Sequence, residues 1–197
     1  MIDLLQRRRA MMGASGGSLP YDAEIEYLQG SGTQYIDTLL KGNLETRLQV
    51  VFMSTNSIND QAVTGSRETN SNSITIVVGT SDTNQRFGSK ARTFGFSRNR
   101  QYNVTIDKSH LVIDGASYNL GETNDFTTQN NICVFYANAL NHLVGNIYSF
   151  KMWQSDALVR DMIPVRVGTT GYMYDRVSGE LFGNTGTGDF GLGNDKN

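Results

Sequence analysis

The sequence predicts an all-β protein, and three features of its 197 residues support this prediction. The first is composition: 21 Gly, 18 Asn, 18 Thr and 16 Ser stand beside only 2 Pro, which favours strands joined by tight turns. The second is the alternation of apolar and polar residues, which is clearest over 24–28 and 44–53. The third is a series of short β-like segments at regular spacing, which is typical of an antiparallel sandwich or barrel.

Residues 1–12, MIDLLQRRRAMM, are the one segment with helical spacing. Their apolar residues would form one stripe, and a helix this short is marginal in water unless it docks on something. Residues 13–18, GASGGS, then predict a flexible hinge that Pro20 closes. We therefore divide the chain into a helical arm with its hinge, 1–20, and a globular domain, 21–197. The predicted docking residues of the arm are Ile2, Leu4, Leu5, Arg7, Arg8, Arg9, Met11 and Met12.

Within the globular domain, each predicted strand follows from alternation or from a β-branched run. A hairpin is predicted around Lys108-Ser109, and Asp114-Gly115 is a strong signal for a second turn. The predicted strands are 24–28, 34–38, 44–53, 74–78, 94–96, 103–107, 110–114, 132–136, 145–153 and 163–167.

Charge and cysteine content exclude several classes of protein. The formal net charge of −2 argues against a general nucleic-acid binder, and no stretch approaches a membrane-spanning helix in apolar length. Arg7–Arg9 follow the first apolar residues, which is the reverse of the order in a secretory signal. Cys133 is the single cysteine, which excludes an internal disulfide and a cysteine-based zinc site, and its apolar surroundings predict burial. We expect no cofactor, nucleic acid or membrane as a partner and assign no metal-ligating residue, and the sequence leaves open whether a calcium ion binds.

Two motifs resemble functional signatures but are better explained by turn and strand chemistry. Residues 186–191, GTGDFG, match the dinucleotide-binding pattern GxGxxG, but that site needs a following helix and none is indicated. Glu24 and Glu26 share one strand face, as the paired carboxylates of a glycosidase would, but the next position on that face is Leu28. We interpret the first motif as a glycine-rich turn and the second as solvent-exposed acids.

Aromatic and basic side chains supply the candidate glycan contacts, which are Trp153, Arg92 and Arg98. Trp153 lies near the end of a predicted strand and is either core or a platform on which a sugar ring stacks. Arg92 and Arg98 lie in a segment, 86–102, where basic residues are interleaved with aromatic residues. That segment is either a solvated face or a contact surface for sugar or protein, and single-stranded nucleic acid is the least favoured partner.

Three stretches of the globular domain carry a family resemblance. The domain opens with IEYLQGSGTQYIDT (25–38), and its middle has two strand-like segments, YNVTID (102–107) and LVIDG (111–115). The ending is the most specific part, with GNIYSFKMW (145–153), LVRDMIPVR (158–166) and GYMYDRVSGELFGNTGTGDF (171–190). Together these stretches resemble the concanavalin A-like lectin/glucanase jelly roll of the laminin-G-like type, and they span about residues 23–191. The resemblance implies an antiparallel jelly-roll β-sandwich.

The resemblance implies a binding or structural module. The glucanases of this superfamily use a carboxylate triad on one strand, which we do not find in the sequence. In the ending, Asp175, Ser178 and Gly179 would form a turn, and 184–188 would form a second turn that returns Phe190 to the sandwich. These residues are therefore expected to be architectural.

Domains with this ending are most similar to those of phages and of surface proteins of gut bacteria. The leading hypothesis is a non-enzymatic phage virion protein on the particle surface, in a head-decorating, head-fibre or tail-associated position. Its arm would dock on capsid or tail proteins, and its jelly roll would display a surface for host or mucus glycans. Such proteins are often trimers, which makes a homotrimer a candidate assembly. The alternatives are a bacterial carbohydrate-binding surface module and a glycoside hydrolase of the glucanase superfamily.

Overall fold

The computed structural model describes residues 18–56, 60–79, 84–138 and 140–197. Within these ranges the chain forms strands, turns and loops and no α-helix, and none of them contains a helix that could span a membrane. The predicted arm, with its docking residues from Ile2 to Met12, lies outside the described ranges. The helical arm and its contacts therefore stay predictions.

The described residues form 18 strands, several of which are only two residues long. In chain order they are β1 (Ala23–Glu24), β2 (Leu28–Ser31), β3 (Ile36–Asn43), β4 (Thr46–Ser54), β5 (Gln61–Arg67), β6 (Ser73–Val78), β7 (Asn84–Phe87), β8 (Lys90–Thr93), β9 (Gln101–Asp107), β10 (His110–Ile113), β11 (Ala116–Asn119), β12 (Thr127–Val134), β13 (Asn141–His142), β14 (Val144–Gln154), β15 (Ala157–Val167), β16 (Thr170–Asp175), β17 (Leu181–Phe182) and β18 (Gly191–Leu192).

Two sheets pack face to face, which confirms the predicted β-sandwich. The larger sheet has 11 strands in the described residues, with the order β11-β10-β9-β4-β14-β15-β16-β17. In addition, β1 joins it through β15, β2 joins it through β14, and β18 pairs with β2. The smaller sheet has 7 strands, with the order β3-β12-β5-β6-β7-β8, and β13 joins it through β5. All pairings are antiparallel except that of β13 with β5. This arrangement fits a jelly roll.

Side chains from the facing surfaces of the two sheets form one apolar core. On β4, Leu48, Val50 and Phe52 are fully buried, and the residues between them are partly exposed. Ile74 and Ile76 of β6 bury their side chains in the same cluster from the smaller sheet. The alternation that predicted a strand over 44–53 therefore reflects one face in the core and one face outside it.

The predicted turns of the β9–β11 meander are confirmed. His110 pairs with Asp107 across Lys108-Ser109, and Ile113 pairs with Ala116 across Asp114-Gly115. Lys108 and Asp114 both have φ near 50°, which two-residue hairpin turns require at their first central residue. The prediction of a strand over 94–96 is wrong, because β8 ends at Thr93 and Phe94 and Phe96 lie in the loop that follows. Phe96 is nevertheless buried, so its apolar character marks the core rather than a strand.

Candidate functional site

One depression on the outer face of the smaller sheet combines aromatic rings with carboxylate and amide groups. Its volume is about 410 Å³, within the range of roughly 300–1,000 Å³ typical of small-molecule sites. We call it the tyrosine patch, and its lining residues are Tyr35, Asp37, Gln129, Asn130, Asn131, Cys133, Tyr136 and Asn138.

The register of β3 and β12 places the patch on the outside of the sandwich. Ile36 pairs with Val134, and both side chains are fully buried in the core. Asp37 pairs with Cys133 at the next position. Because successive side chains of a strand point to opposite faces, Asp37 and Cys133 face away from the core.

A backbone irregularity positions the aromatic part of the patch. Phe135 directly follows β12 and has a φ of 69°, which is unusual for a bulky residue and ends the regular strand. Its backbone is fixed on both sides, because its N–H donates to the carbonyl of Val63 and its carbonyl accepts from the N–H of Leu143, each at 2.8 Å. The next residue, Tyr136, stacks on His142 with ring centroids 4.4 Å apart.

Tyr35 completes a cluster of three rings. Its ring centroid lies 5.2 Å from that of Tyr136 and 5.7 Å from that of His142. All three side chains are partly exposed. The cluster therefore offers apolar ring surface to a ligand at the rim of a polar depression.

Three polar side chains of the patch are held in place by hydrogen bonds within the protein: Asp37, Asn130 and Asn131. Oδ1 of Asp37 accepts from the backbone N–H of Leu39 at 2.7 Å, and its Oδ2 accepts from Nδ2 of Asn131 at 3.2 Å. Nδ2 of Asn130 donates to Glu68 at 3.0 Å. Such fixed groups lose little side-chain entropy when they bind a ligand.

Burial and charge keep two acidic groups of the patch protonated. Burial and, to a smaller extent, the charge of Asp37 raise the pKa of the Cys133 thiol to about 12. Burial also raises the pKa of Tyr35, with smaller contributions from Cys133, Asp37 and Tyr136. Cys133 is therefore an unreactive thiol at neutral pH, as its predicted burial implied, and Tyr35 presents a hydroxyl that can donate a hydrogen bond.

His142 gives the protein a testable pH dependence. Burial lowers the pKa of His142 below its ordinary value of 6.5, so the unfolded chain binds a proton more readily than the folded one. The contribution of His142 to the free energy of unfolding is complete above pH 6.5 and is lost as the pH falls from that value towards the lowered pKa. We expect the His142→Gln variant to lose this part of the pH dependence in urea titrations between pH 7 and pH 5. His110→Gln, at an exposed histidine, is the control, and equal profiles for wild type and His142→Gln would contradict the expectation.

Trp153 lies on the outer face of the larger sheet, in a second depression of about 760 Å³. It is partly exposed rather than a core residue. The guanidinium of Arg47, its partner in register on β4, lies 4.1 Å from the ring centroid, and Arg47 also pairs with Asp107 at 3.8 Å. One face of the indole is thus covered by a cation. The role of Trp153 as a glycan contact stays a prediction.

The structure does not bring the other two predicted contacts together with Trp153. Arg92, on β8, lies 5.1 Å from the ring centroid of Tyr118 and donates to the carbonyl of Asn119 at 3.1 Å, so it joins β8 to β11 across one side of the sandwich. Arg98 is exposed and lines a third depression, with Ser54 and Asn99. The three predicted residues therefore lie in three separate places.

Comparison with known proteins supports the fold. No family model matches the sequence, and neither does any curated protein. Among solved structures, the chain is similar to a "putative carbohydrate binding protein" from Bacteroides ovatus, with a TM-score of 0.56 and 10% sequence identity. The match covers 86% of this chain and 60% of that protein, so the chain spans less than two thirds of its structural relative. At this identity the likeness shows a shared β-sandwich fold.

Proposed function

We propose that the protein is a non-catalytic carbohydrate-binding module with a jelly-roll domain of the concanavalin A-like type, and that the tyrosine patch binds an uncharged glycan. The observation that carries this proposal is the combination, in one depression, of two tyrosine rings with a fixed carboxylate and several amides, the rings being packed against His142. The name of the Bacteroides ovatus protein supports the same class of ligand. The module corresponds best to the bacterial carbohydrate-binding alternative.

The chemistry of the patch suits sugars. The C–H faces of a pyranose pack on aromatic rings, and its hydroxyls both donate and accept hydrogen bonds. Asp37 accepts two hydrogen bonds and keeps lone pairs for more, while Gln129 and Asn138 add amides that donate and accept. The described residues that line the patch include no lysine or arginine, so the site favours a neutral sugar over a sulfated or sialylated one.

The absence of catalysis is part of the proposal. Hydrolysis of a glycosidic bond uses two carboxyl groups, one as acid and the other as nucleophile or base. Asp37 is the single carboxylate among the lining residues, and both of its oxygens already accept hydrogen bonds from the protein. We therefore expect binding without turnover when oligosaccharides are incubated with the protein and analysed for released reducing ends.

The test is an array of neutral, sialylated and sulfated oligosaccharides, followed by calorimetric titration of the best neutral binder. We expect Tyr136→Ala to weaken binding by about tenfold or more, because truncating a buried aromatic contact costs above about 1 kcal/mol. Tyr148→Ala is the matched control: Tyr148 is also partly exposed and pairs with another tyrosine, Tyr27, but lies on the larger sheet.

Each outcome has a distinct meaning. Loss of binding in Tyr136→Ala alone supports the patch. Loss in Trp153→Ala with Tyr136→Ala unaffected would move the site to the larger sheet and overturn the patch while keeping the function. Saturable binding to no glycan, or release of reducing ends, would overturn the proposed function itself.

The virion location and the docking of the arm on capsid or tail proteins stay proposals that rest on the sequence resemblance. A homotrimer stays a proposal on the same basis. The glycan-binding proposal does not depend on them, because the patch is formed wholly by residues of one chain within the described part.

A further inference from the structure

A largely apolar groove runs along one side of the sandwich, between an edge strand of each sheet. β3 is the edge of the smaller sheet and β17 is the edge of the larger one. The groove has a volume of about 580 Å³, and we call it the side groove. Its apolar lining is Pro20, Leu39, Leu181 and Phe182, and its acidic lining is Asp37 and Glu180.

Leu39 is a groove residue with unusual exposure and an unusual backbone conformation. Its side chain is 64% exposed, the highest value among the large apolar residues of the described ranges. It also has a φ of 60°, a conformation that costs a leucine energy and that asparagine adopts far more readily. An apolar residue at such a position in an apolar groove suggests a surface that another segment covers.

We propose that residues 1–12 of the same chain occupy the side groove. The chain arrives at the groove, since Pro20 lines it and Leu19, just before it, is 42% exposed. Tyr21 then packs on Tyr174, with ring centroids 5.0 Å apart, and Ala23 pairs with Arg166, which fixes the exit from the groove to the larger sheet.

The sequence of the arm fits this groove in both chemistry and length. Its apolar stripe would cover Leu39 and Leu181, and Arg7–Arg9 would lie near the carboxylates of Glu180 and Asp37. Residues 13–17, GASGG, span up to about 17 Å when extended. They include no proline or β-branched residue that would restrict a reversal of the chain.

Tethering favours the arm of the same chain over that of a second copy. A short flexible linker gives an attached segment an effective concentration in the millimolar range, far above the micromolar concentration of other copies in a usual experiment. This interaction goes beyond glycan binding, and the groove shares only Asp37 with the lining of the tyrosine patch. It also implies that an arm which docks on another protein must first leave the groove.

Limited proteolysis of the full chain tests the proposal, because trypsin cleaves after Arg7, Arg8 and Arg9 only when the arm is accessible. The loss of these residues is read from the intact mass. We expect Leu39→Asn to speed this cleavage about tenfold, the effect of removing one buried leucine contact. Asparagine suits the backbone at position 39, so the variant should fold, and its circular dichroism spectrum verifies this. Leu158→Asn, at an exposed leucine of the larger sheet, is the matched control and should cleave at the wild-type rate.

Two results would overturn the proposal. The first is equally fast cleavage of wild type and Leu39→Asn, which would mean that the arm does not occupy the groove. The second is protection that grows with protein concentration and accompanies dimers in light scattering, which would assign the groove to the arm of another copy. Glycan binding is measured on the same variants, so a failure of the groove is distinguishable from a failure of the tyrosine patch.

Discussion

Asp175→Ala should destabilise the protein by roughly 3–5 kcal/mol, the cost of breaking a buried charge pair. Asp175 ends β16 and is fully buried. Its Oδ1 accepts from the backbone N–H of Asp161 at 2.8 Å and of Val177 at 3.1 Å, and its Oδ2 accepts from the N–H of Ser178 at 3.2 Å. The same Oδ2 pairs with the guanidinium of Arg160 at 3.5 Å. Alanine would leave these donors without their acceptor in the interior.

The destabilisation caused by Asp175→Ala would extend beyond the turn, because Arg160 links the two sheets. Its Nε and Nη2 donate to the carbonyl of Thr38 at 3.2 and 3.0 Å, and Thr38 lies on β3, the edge strand of the smaller sheet. Without Asp175, the guanidinium keeps its charge in a nearly buried position and loses its carboxylate partner. The Asp175 turn therefore supports the side of the sandwich that contains the side groove.

Urea denaturation measures this effect, with two comparisons. Asp175→Asn keeps an acceptor oxygen and should cost less than alanine. Glu45→Ala removes a half-exposed carboxylate that pairs with Lys108 at the surface, and its midpoint should stay near that of wild type. If Asp175→Ala unfolded within about 1 kcal/mol of wild type, the buried network would not carry the stability assigned to it.

The strands that could be predicted from the sequence are those whose pattern follows from local causes. The β9–β11 meander is an example, because each turn is specified by the residues within it. β4 is another, because one face is apolar and the other is polar. β5, in contrast, was not predicted. Its residue Thr64 pairs with the core residue Ile76 and is fully buried. Burial of this polar side chain is tolerated because its hydroxyl donates to the carbonyl of Cys133 at 2.7 Å. A polar residue satisfied in this way breaks the alternation that marks a strand.

The tyrosine patch was missed for a related reason. Tyr35 and Tyr136 are far apart in the sequence, and only the register of β3 on β12 brings them together. That register includes irregularities, and β12 ends before Phe135, whereas the sequence predicted a strand to residue 136. Local propensity does not report a positive φ at a phenylalanine. The one signal that could have drawn attention is the concentration of Asn and Gln around 129–131 and 138, on either side of Tyr136.

Gly186→Ala should destabilise the protein by roughly 1–3 kcal/mol, the usual cost of forcing extra atoms into a packed site. A Cβ at position 186 would stand 2.0 Å from the carbonyl oxygen of Thr33. The two segments cannot simply separate, because the N–H of Thr187 donates to that same oxygen at 3.2 Å and the hydroxyl of Thr33 donates to the carbonyl of Thr187 at 2.8 Å. The N–H of Thr185 also donates to the carbonyl of Tyr35 at 2.8 Å.

The GxGxxG pattern at 186–191 is thus explained by close approach of two backbones, as the turn interpretation expected. The turn also returns Phe190 to the core, where its ring lies 4.9 Å from that of Phe135. Gly95→Ala is the matched control, because a Cβ there meets nothing within 4 Å and its φ is not positive. Thermal and urea unfolding of the two variants should differ clearly, and equal stability would contradict the tight contact. The carbonyl of Tyr35 accepts a hydrogen bond from this turn, so Gly186→Ala should also weaken glycan binding at the tyrosine patch. Gly95→Ala should leave glycan binding unchanged.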